Sequence, residues 1–285
     1  MEIRKVMVIG AGTMGEGIAQ ACLQYGYEVV LADTNAERLA LARRQIEVRL
    51  QKLKEKGKLP STQVEAIMSQ LVTTQTTLAL GKIDLIIEAV VESYEVKESI
   101  FNRLAVEYPA AIIVSNTSSL SIDRLAGAVN DKGKFAGLHF FNPAYIMPLV
   151  EVVMCADTSQ ETEAALTAFA LSLGKRVVVT KDSPGFIVNR VARPYYAEAM
   201  YLHTEYGGEV AELDAAIENL GFKLGPFRLS DMIGHDVNYA VTESVFEGLE
   251  QAERFRPSGA QLALVTAKNL GVKSGKGFYE YEKKV

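Results

Sequence analysis

The chain has 285 residues, of which 48% are hydrophobic and 23% charged, and a formal net charge of −5. That length suits one large domain or two ordinary ones, and the balance is that of a soluble globular protein. No run approaches the ~20 apolar residues that a bilayer helix needs, and the negative charge speaks against a general nucleic-acid binder. Cys22 and Cys155 lie far apart in apolar surroundings, and MEIRKVMVIG carries no secretory pattern, so a reducing, cytoplasmic setting is expected.

In chain order, residues 3–9 (IRKVMVI) read as a short buried strand, and GAGTMGEG opens a helix running to about Tyr25. Residues 28–32 (EVVLA) form a second strand, ended by Asp33. A charged helical region starts at Asn35 and is broken by Gly57 and Pro60, and a second helix covers about 61–70. From Glu37 to Lys58 eight Lys or Arg face three Glu. The run is either a solvated helix face or a landing site for a polyanion. Strand patterns at 71–74, 84–90, 111–115, 135–140, 148–154 and 175–180 alternate with helices at 94–107 and 159–173. Alternation of this kind implies a doubly wound, mostly parallel sheet covered on both faces, an α/β domain of Rossmann type.

The pattern changes at Asp182-Ser183-Pro184-Gly185. Beyond it, 186–206, 211–220, 228–250 and 259–270 read as helices, so 1–183 is expected as the α/β domain and 184–285 as an all-helical C-terminal domain. Residues 186–200 are apolar nearly all round, which calls for cover either within that domain or from a second copy.

Gly10, Gly12 and Gly15 form GxGxxG between a strand and a helix. The first permits a tight turn, the second leaves backbone N–H groups open to a pyrophosphate, and the third lets helix and strand pack closely. Ala11, Thr13 and Met14 complete that loop. Asp33, ending the next strand, is placed to accept bonds from adenosine ribose hydroxyls. Its charge repels a 2′-phosphate, and neither Thr34 nor Asn35 offers a cation to hold one, so NAD is favoured over NADP.

Of three histidines, His203 and His235 read as structural. His139, in GLHFFNP at the carboxyl end of a strand, reads equally as a satisfied core residue or as a base. Ser118 in SNTSSL and Glu151 in MPLVEVV lie on neighbouring strands, where they can join it as hydroxyl, base and orienting carboxylate. No metal is expected.

GAGTMGEG, EAVVESYEVK, SNTSSLSI, GLHFFNPAYIMPLVEVV, DSPGFIVNR, GPFRLSDMIGHDV and KSGKGFYEY follow in this order. Together they resemble the 3-hydroxyacyl-CoA dehydrogenase family, most of all its short bacterial 3-hydroxybutyryl-CoA members, over the whole chain. The resemblance implies oxidation of a short (3S)-3-hydroxyacyl-CoA to the 3-oxoacyl-CoA with NAD, and the reverse reduction. His139 is then the general base and acid, Glu151 its partner, and Ser118 and Asn189 bind the substrate oxygen. Glu92, Lys97, Ser118, Asn142 and Lys273 join Gly10–Gly15 and Asp33 around the cofactor. The helical insertion at about 35–70 holds coenzyme A through Arg49 and Lys56, and the C-terminal domain forms a homodimer. A gulonate-type dehydrogenase of a free hydroxy acid shares the site but has no use for the basic helix. A hydroxyisobutyrate-type enzyme relies on lysine instead of His139, and a non-catalytic nucleotide-binding relative has no need of the four site residues.

Overall fold

The computed structural model describes residues 2–60, 63–78 and 80–282, so residues 61 and 62 of the second predicted helix lie outside the described residues. Two compact units divide the chain, Met1–Asp182 and Ser183–Val285.

The first unit is a single sheet of eight strands flanked by helices. In chain order its elements are β1 (Lys5–Ile9), α1 (Thr13–Gln24), β2 (Glu28–Ala32), α2 (Ala36–Glu55), α3 (Gln63–Ser69), β3 (Leu71–Thr74) and β4 (Leu85–Glu88). They continue with α4 (Tyr94–Glu107), β5 (Ile112–Ser115), α5 (Ile122–Ala126), β6 (Phe135–Phe140), β7 (Leu149–Met154), α6 (Gln160–Ser172) and β8 (Arg176–Lys181). The sheet order is β3-β2-β1-β4-β5-β6-β7-β8. The chain leaves β1 toward one edge and returns to its other side at β4, which sets the topological switch point at the carboxyl ends of these two strands, where such sheets hold ligands. β4 and β5 are buried at every position, as strands covered on both faces must be.

One pair departs from parallel. β6 and β7 run antiparallel, with Leu138 opposite Val152 and His139 opposite Glu151. Only residues 141–148 join them, too few for a crossover back to the same edge. α5 is a short helix that the sequence reading lacks; Ser121 caps it by accepting the Arg124 N–H.

α2 shows how a charged sequence still packs. Asn35 caps it, accepting N–H bonds from Glu37 and Arg38, and Leu39, Ala42, Ile46 and Leu50 make a buried stripe at helical spacing. That stripe joins the core of Ile18, Leu31, Ile87, Val114 and Leu138.

The second unit is helical: α7 (Val188–Tyr206), α8 (Val210–Asn219), α9 (Pro226–Ile233), α10 (His235–Gly248) and α11 (Gly259–Thr266). The single helix predicted over 228–250 is two. Gly234 sits between them at φ +100°, which no helix accommodates and only glycine reaches cheaply. Asp214 is fully buried and accepts N–H bonds from Phe227 and Arg228 at the start of α9. Asp231 is equally buried and takes bonds from His235 Nε2 (2.6 Å), the Phe278 and Tyr279 N–H groups, and the Tyr281 hydroxyl. One carboxylate thus ties the segment after α11 back to α9 and α10.

Candidate active site

The glycine loop after β1 displays the division of labour that its spacing suggests. Gly10 lies at φ +100°, and a Cβ there would meet the Ala89 carbonyl oxygen at 2.5 Å. A Cβ on Gly15 would sit 1.8 Å from the Gly10 carbonyl oxygen, so α1 and the loop pack with no room for a methyl. A Cβ on Gly12, by contrast, would meet nothing within 4 Å. Its lack of a side chain serves no packing need of the protein. It leaves space beside the N-terminus of α1, where backbone N–H groups and the helix dipole favour a pyrophosphate.

Asp33 is bound into this loop. Its Oδ2 accepts the Ala11 N–H at 2.7 Å and its Oδ1 the Asn35 N–H at 2.8 Å. A carboxylate has about four acceptor sites, so two remain for ribose hydroxyls. The residues present therefore fit a dinucleotide with free ribose hydroxyls.

Past β4 and β5 lies a network only partly legible in the sequence. Lys97, on α4, is 1% exposed, and its ammonium pairs with Glu88 (2.6 Å) and Glu92 (3.3 Å). Glu88 is fully buried and also accepts the Ser115 hydroxyl (2.6 Å) and the Val90 N–H (2.7 Å). Glu92 in turn accepts from the Thr117 hydroxyl (2.5 Å), the Ser119 hydroxyl (2.9 Å) and the Ser118 N–H (3.1 Å). Burial pushes the Glu92 carboxyl up, but the Lys97 ammonium and these three donors outweigh it and hold the group below its ordinary value. The Ser118 loop is thus pinned by one carboxylate, and that carboxylate by a buried lysine. Glu88 escapes a motif search; its signal is an acid inside the apolar run LIIEAV.

His139 and Glu151 meet directly. As opposed residues of an antiparallel pair they project to the same face, and His139 Nδ1 lies 2.7 Å from Glu151 Oε2. His139 is 5% exposed and Glu151 is fully buried. A carboxylate acceptor makes Nδ1 the donor of the neutral ring and places the basic lone pair on Nε2. The ring of Phe141 stands 4.5 Å from the imidazole, centre to centre. Asn142 follows in the same loop, in a cis peptide with Pro143. Lys175 holds that loop, donating to the Ala144 (2.7 Å) and Met147 (2.8 Å) carbonyls.

The remaining predicted residues take varied positions. Arg49 is the only cation of the basic helix in an ion pair among the described residues. It bonds Glu16 (3.0 Å) and Gln20 (2.6 Å) on α1 and lies over the Tyr145 ring, while its Nη2 is buried without a hydrogen bond. Lys56 is exposed at the end of α2. In the second unit, Asn189 lies in the first turn of α7, and Lys273 pairs with Asp236 at 2.5 Å. His203 and His235 have internal partners, the Gly208 carbonyl and Asp231.

A glycine-loop doubly wound sheet with a His–carboxylate pair at its carboxyl edge defines a nucleotide-dependent dehydrogenase. Residues 5–183 match the family model described as the NAD binding domain of 3-hydroxyacyl-CoA dehydrogenase, and residues 185–281 match its C-terminal domain. The chain belongs to the 3-hydroxyacyl-CoA dehydrogenase family. It is an NAD-dependent oxidoreductase of that family. Among its relatives, the 3-hydroxyadipyl-CoA dehydrogenase of Escherichia coli is 44% identical over 99% of this chain, which spans only 60% of that protein. The 3-hydroxybutyryl-CoA dehydrogenase of Bradyrhizobium diazoefficiens is 40% identical, covering 98% of this chain and 96% of the relative. The solved (S)-3-hydroxybutyryl-CoA dehydrogenase of Ralstonia eutropha superposes with a TM-score of 0.95 at 36% identity, covering 99% of this chain and 100% of the other.

Proposed function

We propose that His139 is the proton-transfer residue in the interconversion of a short (3S)-3-hydroxyacyl-CoA and its 3-oxo form. The observation that carries this is the 2.7 Å contact between His139 and a fully buried Glu151. In oxidation, Nε2 takes the 3-hydroxyl proton, and Glu151 stabilises the imidazolium that results. Bound NAD supplies the hydride acceptor. In reduction the imidazolium returns the proton to the oxygen, while Ser118 and Asn189 donate to it. Glu92 positions Ser118 through its backbone N–H, and Lys97 acts through Glu92 from inside the protein. Asn142 and Lys273 complete the cofactor contacts.

Coenzyme A phosphates are assigned to the basic face of α2, with Lys56 exposed toward solvent and Arg49 as a further contact. The helical unit forms a homodimer. Val191, Leu220, Phe222, Met232 and Val237 are exposed apolar side chains within it that a second copy would cover. No helix of the described residues is long and apolar enough to cross a membrane. The cytoplasm suits the two buried free thiols, of which Cys22 is pushed up to about 12 by burial and so resists oxidation.

The decisive experiment is His139→Gln, assayed by NADH oxidation with acetoacetyl-CoA. Turnover falls on the order of a hundred- to ten-thousand-fold while NAD binding persists. Near-normal turnover refutes the assignment. Free acetoacetate, run beside the thioester, distinguishes a dehydrogenase of free hydroxy acids. The relatives' names leave the far end of the acyl chain open, with a methyl group in hydroxybutyryl and a carboxylate in hydroxyadipyl.

A further inference from the structure

The turn that carries Ser118 is organised by the residue before it. Thr117 is 2% exposed, and its hydroxyl donates to Glu92 Oε1 at 2.5 Å. The Thr117 hydroxyl oxygen also accepts the Leu120 N–H at 2.9 Å and the Ser119 N–H at 3.3 Å. One donated bond and two accepted bonds exhaust what a hydroxyl can make, so this group is used in full. On the other side, the Thr117 N–H is held by the Ser115 hydroxyl oxygen at 3.2 Å, and that hydroxyl donates to the buried Glu88.

Every bond of this set fixes the backbone on one side of Ser118 or the other. Glu92 Oε1 takes donors from three successive residues, the Thr117 hydroxyl, the Ser118 N–H and the Ser119 hydroxyl, while Oε2 faces the Lys97 ammonium. Glu92 alone does not shape the turn, since the Ser118 N–H is the one backbone group that it is seen to bind. Closure comes from Thr117, whose oxygen draws the N–H groups two and three residues on back to itself. Ser118 therefore lies between two held residues with its own N–H held, and the direction in which its side chain leaves the backbone is set. For a hydroxyl that must meet one atom of a bound substrate, that direction matters: a misplacement of about 1 Å costs on the order of a hundredfold in rate.

We propose that Thr117 is a positioning residue for the reaction, its hydroxyl aiming that of Ser118 at the oxygen on C3. This rests on the reading in which Ser118 donates to that oxygen. Thr117 acts through Ser118, without touching the substrate.

The test is a double-variant cycle, with turnover followed as NADH oxidation by acetoacetyl-CoA in Thr117→Val, Ser118→Ala and the pair. Valine keeps the branched shape and deletes the hydroxyl. Ser118→Ala loses on the order of a hundredfold in kcat, as removal of a donor to a developing oxyanion does. Thr117→Val loses about tenfold or more in kcat, with KM for the thioester within about threefold, because the bond it misdirects strengthens in the transition state. On top of Ser118→Ala the valine costs less than about threefold, since two residues acting through one hydroxyl are not additive. Thr117→Ser, which keeps the hydroxyl, stays within about threefold of wild type. Near-normal turnover in Thr117→Val overturns the proposal, and so does a serine variant as slow as the valine one. A valine loss that is undiminished in the Ser118→Ala background also overturns it, because a purely structural threonine slows both backgrounds alike. Wild-type turnover in Ser118→Ala sinks the assignment of Ser118 itself, and the proposal with it. If the valine variant does not fold, Thr117→Cys, whose thiol is a weak donor and acceptor, is held to the same outcomes.

Discussion

Replacing Lys97 by methionine tests whether the charges beneath the Ser118 loop act as one unit. Methionine keeps the unbranched apolar stem and deletes an ammonium that is 2.6 Å from Glu88 and 3.3 Å from Glu92. Glu88 then remains fully buried with two hydrogen bonds, from Ser115 and the Val90 N–H, but with no counter-charge. Removing one member of a buried pair costs about 3–5 kcal/mol, and the two surviving donors place this case near the lower end, about 3 kcal/mol. Glu92, 37% exposed at its side chain, adds little, because water screens it. Such a loss is a large share of the ~5–15 kcal/mol that holds an ordinary domain together.

Urea unfolding near neutral pH measures it. Adding Glu88→Gln to the variant recovers part of the loss, giving a coupling energy on the order of 1–3 kcal/mol. A deficit under about 1 kcal/mol refutes the claim that this lysine neutralises buried carboxylates.

The glycine loop separates a binding requirement from a packing one. Gly12→Ala, at φ −77° with open space around the added methyl, leaves stability within about 0.5 kcal/mol but weakens NAD by tenfold or more in titration calorimetry; unaltered affinity counts against the pyrophosphate placement. Gly15→Ala drives a methyl into the Gly10 carbonyl oxygen and costs about 3 kcal/mol or more; a thermal melt matching wild type contradicts the packing argument. In the helical unit, burial pushes Asp231 up, but His235, the Tyr279 and Phe278 N–H groups and Tyr281 hold it below the usual carboxylate range. Its contribution is therefore complete above the unfolded value near 4 and disappears as pH falls through the lower folded value. Asp231→Asn is less stable than wild type by about 3 kcal/mol from pH 7 to 5, and the gap closes below about pH 4. A gap that persists unchanged to about pH 3 rejects the titration of this group as its source.

How far a sequence reveals such a site depends on whether the constraint is local. Gly10, Gly12 and Gly15 are legible because their demands concern backbone within a few residues of each. Asp33 is legible for the same reason, as the next strand ends beside that loop. The His139–Glu151 pair is legible as a neighbourhood, but their direct opposition follows from the antiparallel register, which the short 141–148 connection dictates and the prevailing parallel pattern obscures. The break at Gly234 hides because the apolar spacing continues across it from α9 to α10, and only the positive φ separates them. Asp231 and His235 carry a visible i, i+4 spacing, yet its use depends on residues 278–281 returning from nearly fifty positions away.

Arginine is the least readable residue of all. A long stem covers apolar surface while its head reaches water, so an arginine in an apolar helix carries no warning in the sequence. Arg193 differs from that ordinary case through what surrounds its head: four neutral acceptor contacts, one aromatic face, an orphaned amide, and no acid among its partners. Its donors are met instead by four neutral oxygens spread over α7 and α10, a constraint that no spacing in the sequence displays.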